Sequence, residues 1–215
     1  MLKQIESWLS HHGLLIRAVL PVSQQGAAEV NDLSSQKGLD SHQLPELKNA
    51  KTVASLLLIG NAGSSIWQSF KNSPEYADQR SDPLDRWSQR LGNELADQFD
   101  GKAVFPFTGP PFYPFLSWSR LADPSVQSPL GMSLHPVYGL WHAYRFALCL
   151  PQALEGCVSH RPTLLENSAD SDNPCLSCLD QPCLSACPVN AFDGGHYRHT
   201  ACAEFLSVLP DHSCN

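Results

Sequence analysis

The stretch Trp141-His142-Ala143-Tyr144-Arg145-Phe146-Ala147-Leu148-Cys149-Leu150 carries no Gly or Pro and is closed by Pro151. Read as a strand, it places Trp141, Ala143, Arg145, Ala147 and Cys149 on one face and His142, Tyr144, Phe146, Leu148 and Leu150 on the other. Both faces are mainly apolar, so the strand is expected inside a sheet covered on both sides. Arg145 is the exception. An unpaired guanidinium in such a place costs about 3–5 kcal/mol, so the position calls for an Asp or Glu side chain, a ligand carboxylate, or an edge that reaches solvent.

Working outward from this strand, Leu130–Leu134 reads as a second one, joined to it around His135-Pro136-Val137-Tyr138-Gly139. Further upstream, Leu2, Ile5, Trp8 and Leu9 have helical spacing, and Leu14–Leu20 is a strand stopped at Pro21. Residues 23–50 are polar and loop-like. Thr52–Ile59 is a buried strand that Gly60-Asn61-Ala62-Gly63 turns into a helix carrying Ile66, Trp67 and Phe70. Asp82-Pro83 has the form of an N-cap followed by Pro in the first helical turn. Leu84, Trp87, Leu91, Leu95 and Phe99 then recur every three or four residues until Gly101. Ala103–Phe107 is a short strand leading into an aromatic, proline-stiffened loop that runs to Phe115. This mixture of helices and hairpin-linked strands defines an α+β class.

Downstream, polar and turn residues dominate from Pro151 to Pro174. The expected organisation is a domain over 1–151, a linker over 152–173 and a small module over 174–215 with a helix at Ala201–Leu209. A chain of 215 residues has room for one fair-sized core and such an appendage. Its 14 Lys and Arg against 21 Asp and Glu give a net charge of −7, which repels phosphate backbones and argues against nucleic acid as a partner. No apolar run approaches the roughly 18 residues that span a bilayer. The N-terminus has no basic region followed by a hydrophobic stretch and a cleavage site, so the chain reads as cytoplasmic, with no membrane partner.

Four of the eight cysteines fall in one short run, Cys175-x2-Cys178-x4-Cys183-x3-Cys187-Pro188. Spacings this short let the chain coil around a cuboidal iron–sulfur cluster with backbone amides aimed at its sulfurs. Thiolates are the soft, anionic donors that iron in a cluster takes. The alternatives are a zinc site or ordinary thiols. A four-cysteine zinc site usually separates two C-x2-C pairs by a dozen residues or more, which this run does not.

The segment Cys-Leu-Ser-Cys-Leu-Asp-Gln-Pro-Cys-Leu-Ser-Ala-Cys-Pro-Val-Asn-Ala-Phe (175–192) resembles the bacterial ferredoxins, with four residues where two are usual in the middle spacing. The resemblance implies a [4Fe–4S] cluster on Cys175, Cys178, Cys183 and Cys187. In two-cluster ferredoxins the fourth Cys of a run serves the other cluster. Either Cys187 closes a single cluster, the favoured reading, or a partner run is missing at the C-terminus and Cys202 and Cys214 are its surviving edge.

The stretch Ser133–Arg145, followed by Leu148-Cys149-Leu150-Pro151, resembles the hairpin of cobalamin-processing proteins of the CblC type, in a His-Pro-x-aromatic-Gly-x-Trp-x-Ala-x-Arg pattern. With the order of segments upstream, the likeness spans about residues 50–151. It implies a nitroreductase-like (flavin-reductase) α+β fold and a bound corrinoid. Arg145 matches the arginine linked to the thiol cosubstrate, and His135, Gly139 and Trp141 match the border of the corrin pocket. The aromatic loop Phe105–Phe115 departs from that pattern; it either stacks on a flat conjugated ring or plugs the sheet. Epoxyqueuosine reductases and reductive dehalogenases join a related domain to ferredoxin clusters in the same order.

Two functions follow as expectations. One is a redox protein whose cluster passes electrons to a corrinoid or flavin held by the N-terminal domain, for reductive cofactor processing or corrinoid-dependent reduction, and supplied by a redox partner protein or a small-molecule reductant. The other is a ferredoxin-like electron carrier or docking protein with no substrate of its own.

Overall fold

The computed structural model describes residues 1–22, 39, 43–123, 125–154, 173–193 and 196–208. The fold is mixed α+β, with a four-stranded antiparallel sheet. Its elements run α1 (Leu2–Ser10), β1 (Leu15–Pro21), β2 (Ser55–Ala62), α2 (Trp67–Lys71), α3 (Pro74–Ala77), α4 (Pro83–Gln98), β3 (Lys102–Val104), α5 (Phe115–Ala122), β4 (Val126–Gln127), β5 (Ser133–Leu134), β6 (His142–Leu150), α6 (Pro182–Ser185), β7 (Phe192–Asp193), β8 (His196–Tyr197) and α7 (His199–Val208). The chain divides into two compact units. One comprises residues 1–124 and 141–163, the other 125–140 and 164–215. Residues 125–140, assigned to the first domain in the sequence reading, group with the C-terminal unit. Most of the expected linker, with Cys157, lies outside the described residues, as does Cys214.

In the first unit the strands are ordered β1-β2-β6-β3, so β6, which carries Arg145, is central. One face of the sheet is covered by α1 and α4 through Ile5, Leu9, Trp87, Leu91 and Leu95, which meet Ile59, Phe146, Leu148 and Leu150. On the other face, Phe115 and Trp118 of α5 meet Ala18, Leu56, Leu58, Ala147 and Cys149. Burial of Leu and Phe side chains at about 1.5–3 kcal/mol each holds these layers together.

Strict alternation along β6 fails at one point, and a β-bulge is the reason. Ile59 pairs with Phe146 and the next residue, Gly60, pairs with Tyr144, so Arg145 is an extra residue. The insertion turns Tyr144 toward the α5 face, where it packs with Ala147 and Cys149. Arg145 approaches Asp85 of α4. The expected grouping of Trp141, Ala143 and Arg145 with Ala147 and Cys149 therefore does not hold. A second bulge sits across β2, where Ile16 pairs with Ile59 and Ala18 with Leu58, making Arg17 the extra residue. Two bulges flanking Gly60 bend the sheet at one end, where such insertions re-aim side chains.

Three local expectations are corrected. The hairpin joining Leu130–Leu134 to β6 is replaced by a pairing of β5 with β4, while β6 takes β2 and β3. β2 does not turn at Gly60 but runs on to Ala62. A Cβ at Gly60 would lie 2.0 Å from the Ala143 carbonyl oxygen, so the glycine serves close backbone approach. Helix α4 begins at Pro83 as read, yet Asp82 is left-handed (φ 54°) and its side chain makes no capping hydrogen bond. At the other end the left-handed residue is Asp100 (φ 53°); Gly101 is needed because a Cβ there would stand 2.6 Å from the Cys149 carbonyl oxygen.

Candidate functional site

The four cysteines of the run lie on the second unit. Asn173 starts the segment by accepting the Cys175 N–H on its side-chain oxygen at 3.0 Å, an Asx-type turn. Pro182 begins α6, which carries Cys183, after Gln181 turns the chain in the left-handed region (φ 37°). Cys178 and Cys183 are exposed, and Cys175 and Cys187 are half-buried. The Ala191 N–H donates to Cys187 Sγ at 3.3 Å, the backbone-to-sulfur contact that cluster modules use. Behind it, β7 and β8 form a small hairpin in which Phe192 stacks on Tyr197 at 5.1 Å. The Cys202 thiol, hydrogen-bonded to Tyr197, holds that phenol above its usual range, and Cys187 adds to the effect.

Among the described residues no three His, Cys, Asp or Glu side chains stand together as a metal-ligand group. The donor set nevertheless suits iron in kind. Four thiols outside the core, on loops of two, four and three residues, are free of disulfides. Cys149 is a different case: burial pushes its thiol up to about 12, which makes it an inert core residue.

The residues matched to the corrin-pocket hairpin fall in both units. His135, 3% exposed, accepts the Val137 and Tyr138 N–H groups on Nδ1 at 3.0 and 3.2 Å and stacks on the Tyr138 ring at 4.3 Å. This places its ring proton on Nε2. His135 and Gly139 exchange backbone hydrogen bonds at 2.9 and 2.8 Å, and Gly139 is left-handed at φ 59°, the conformation glycine adopts without strain. Trp141 and Arg145 belong to the first unit. The Trp141 carbonyl accepts from the Gly63 N–H at 2.7 Å, while its ring is 80% exposed. Arg145 is mostly buried and reaches Asp85 only at 3.9 Å. Its Nε has no hydrogen-bond partner, and burial lowers its pKa. The aromatic loop splits its roles: Phe105 and Phe115 are core residues, whereas Phe112 is 79% exposed.

A further constellation escaped the sequence reading. The Arg17 and Asp123 side chains, 2% and 1% exposed, pair at 2.6 Å. Arg17 Nη1 also donates to His142 Nδ1 at 3.1 Å, and the guanidinium lies over the Tyr144 ring at 5.2 Å. The Tyr144 hydroxyl donates to the same Asp123 oxygen, and burial, then this bond, raises its pKa. The two bulges aim Arg17 and Tyr144 at one carboxylate. The available signal was a lone charge, Arg17, inside the apolar run Leu14–Leu20.

Compared with protein-family models, curated proteins and solved structures, the chain matches none. No helix among the described residues is long and apolar enough to cross a membrane.

Proposed function

We propose that the C-terminal unit is a ferredoxin-like module holding a [4Fe–4S] cluster on Cys175, Cys178, Cys183 and Cys187. In this reading it passes single electrons to a corrinoid or flavin carried by a nitroreductase-like sheet unit of the CblC type. The observation that carries the reading is the run of four unpaired thiols, all outside the core, with a backbone amide already bonded to the last of them. The cluster supplies one-electron chemistry. Hydrogen bonds to its sulfurs and its exposure set the potential within a range of about −700 to +450 mV.

On the sheet unit, Arg145 supports an anionic cosubstrate, because a mostly buried guanidinium with one long contact to Asp85 and an unbonded Nε is short of negative charge. Trp141 offers an exposed ring for stacking on a flat conjugated system. The test is to mix anaerobically purified protein with hydroxocobalamin, cyanocobalamin or flavin and follow the visible spectrum. A shift with one of them is the expected result, and no shift with any of the three removes the corrinoid and flavin assignment. Arg145→Ala is expected to weaken the anionic cosubstrate while leaving iron content unchanged. Loss of folding in that variant would assign Arg145 to an internal ion pair instead.

A further inference from the structure

Away from the cysteines, a pocket of about 560 Å³ opens between the end of α1 and helices α2 and α4, within the size range of small-molecule sites. Its rim is fixed by one junction. Gly13 is left-handed at φ 71°, and a Cβ there would lie 1.9 Å from the Ser65 carbonyl oxygen. The Ser65 hydroxyl donates back to the Gly13 carbonyl at 2.6 Å. The end of α1 is thereby pinned to the start of α2.

The polar groups facing this space are partly bonded to one another and to their neighbours, and the guanidinium among them is compensated in charge. His12 contacts the Ser69 hydroxyl through Nδ1 at 3.3 Å and lies against Trp8 with ring centroids 4.6 Å apart, so the ring is held and Nε2 is left over. Burial, and then the charge of Arg90, keep the His12 pKa below the ordinary imidazole value. Arg90 is itself occupied. It binds Glu75 through Nε at 2.6 Å and Nη2 at 3.2 Å, and Glu94 through Nη1 at 3.0 Å. His11 donates from Nδ1 to the Ser7 carbonyl at 2.6 Å, which leaves its Nε2 toward the same space. Gln68 and Asn72 line the same space and are exposed, and their side chains make no hydrogen bond to the described residues.

We propose that this pocket binds an uncharged, hydroxyl-rich small molecule of monosaccharide to nucleoside size, with Gln68, Asn72, Ser69 and the ring nitrogens of His11 and His12 as its hydrogen-bonding groups. A free cation would select an anion; here the Arg90 guanidinium is already paired with the carboxylates of Glu75 and Glu94. Mixed donors and acceptors on amides, hydroxyls and imidazoles match hydroxyl groups, which both give and accept. The proposal is independent of the cluster.

The test is ligand-observed saturation-transfer NMR on the full chain with neutral sugars and nucleosides (glucose, ribose, adenosine, uridine), set against glucose 6-phosphate and adenosine monophosphate. The expected result is millimolar or tighter binding of a neutral compound, weaker binding of its phosphorylated counterpart, and a loss of about fivefold in affinity for each of Gln68→Ala and Asn72→Ala. Both substituted residues are exposed, so an unchanged melting curve shows that the fold is intact. Three results overturn the proposal: no neutral compound binds, the phosphorylated ones bind more tightly, or both variants bind as wild type does.

Discussion

Asp123 accepts from two residues that sequence separates widely, Arg17 at 2.6 Å and Tyr144, at a site almost closed to water. Removing one member of a buried ion pair leaves the other charge without its counterion, at a cost of about 3–5 kcal/mol. A neutral hydroxyl bond is worth about 1 kcal/mol. Asp123→Asn is therefore expected to lower stability far more than Tyr144→Phe, as read from urea unfolding midpoints. Equal effects would show that the ion pair contributes no more than the phenol. Gly60→Ala is the companion test of the bent sheet. Its methyl meets backbone rather than a yielding side chain, so an overpacking loss of about 1–3 kcal/mol is expected, and a neutral result would contradict the close approach of β2 and β6.

At the scale of elements, α3 and α4 are tied by Glu75, whose carboxylate takes both Nε and Nη2 of Arg90. That bond holds the Glu75 pKa below its ordinary value of 4.5. A carboxylate depressed in the folded state stabilises at pH values above the unfolded pKa, and loses that contribution as pH falls through the folded one. The stability difference between wild type and Glu75→Gln is expected to be present at neutral pH and to shrink below about pH 4.5 in unfolding measurements. A difference constant down to pH 3 would mean that the carboxylate charge contributes nothing.

Elements with strong periodicity were legible in the residues: the α1 stripe Leu2, Ile5 and Leu9, the α4 stripe from Leu84 to Leu95, and the apolar strands β1, β2 and β6. What sequence does not carry is register. A bulge adds one residue without any change in composition, so the inversion of Tyr144 and Arg145 is invisible until the partner strand is known. The same holds for β5, whose partner β4 comprises only Val126 and Gln127. The cysteine run was visible as a run because its four members are local in sequence. The Arg17–Asp123 pair was not, because its members are 106 positions apart.

The whole molecule divides into a sheet unit and a cysteine-bearing unit, and the proposed functions fall one on each. Cys178→Ser is expected to abolish iron binding while leaving corrinoid or flavin binding in place, as judged by iron content and by spectral titration of the same preparation. Joint loss of both would argue against two functional units. Convergence of the Cys175, Cys178, Cys183 and Cys187 thiols on one iron–sulfur cluster is the proposal on which the redox reading rests. It is tested most directly by measuring iron and acid-labile sulfide in anaerobically prepared protein, alongside the visible and electron spin resonance spectra. About four of each per chain, with thiolate-to-iron absorbance, is the expected result. A colourless protein containing zinc, or no metal at all, would contradict it.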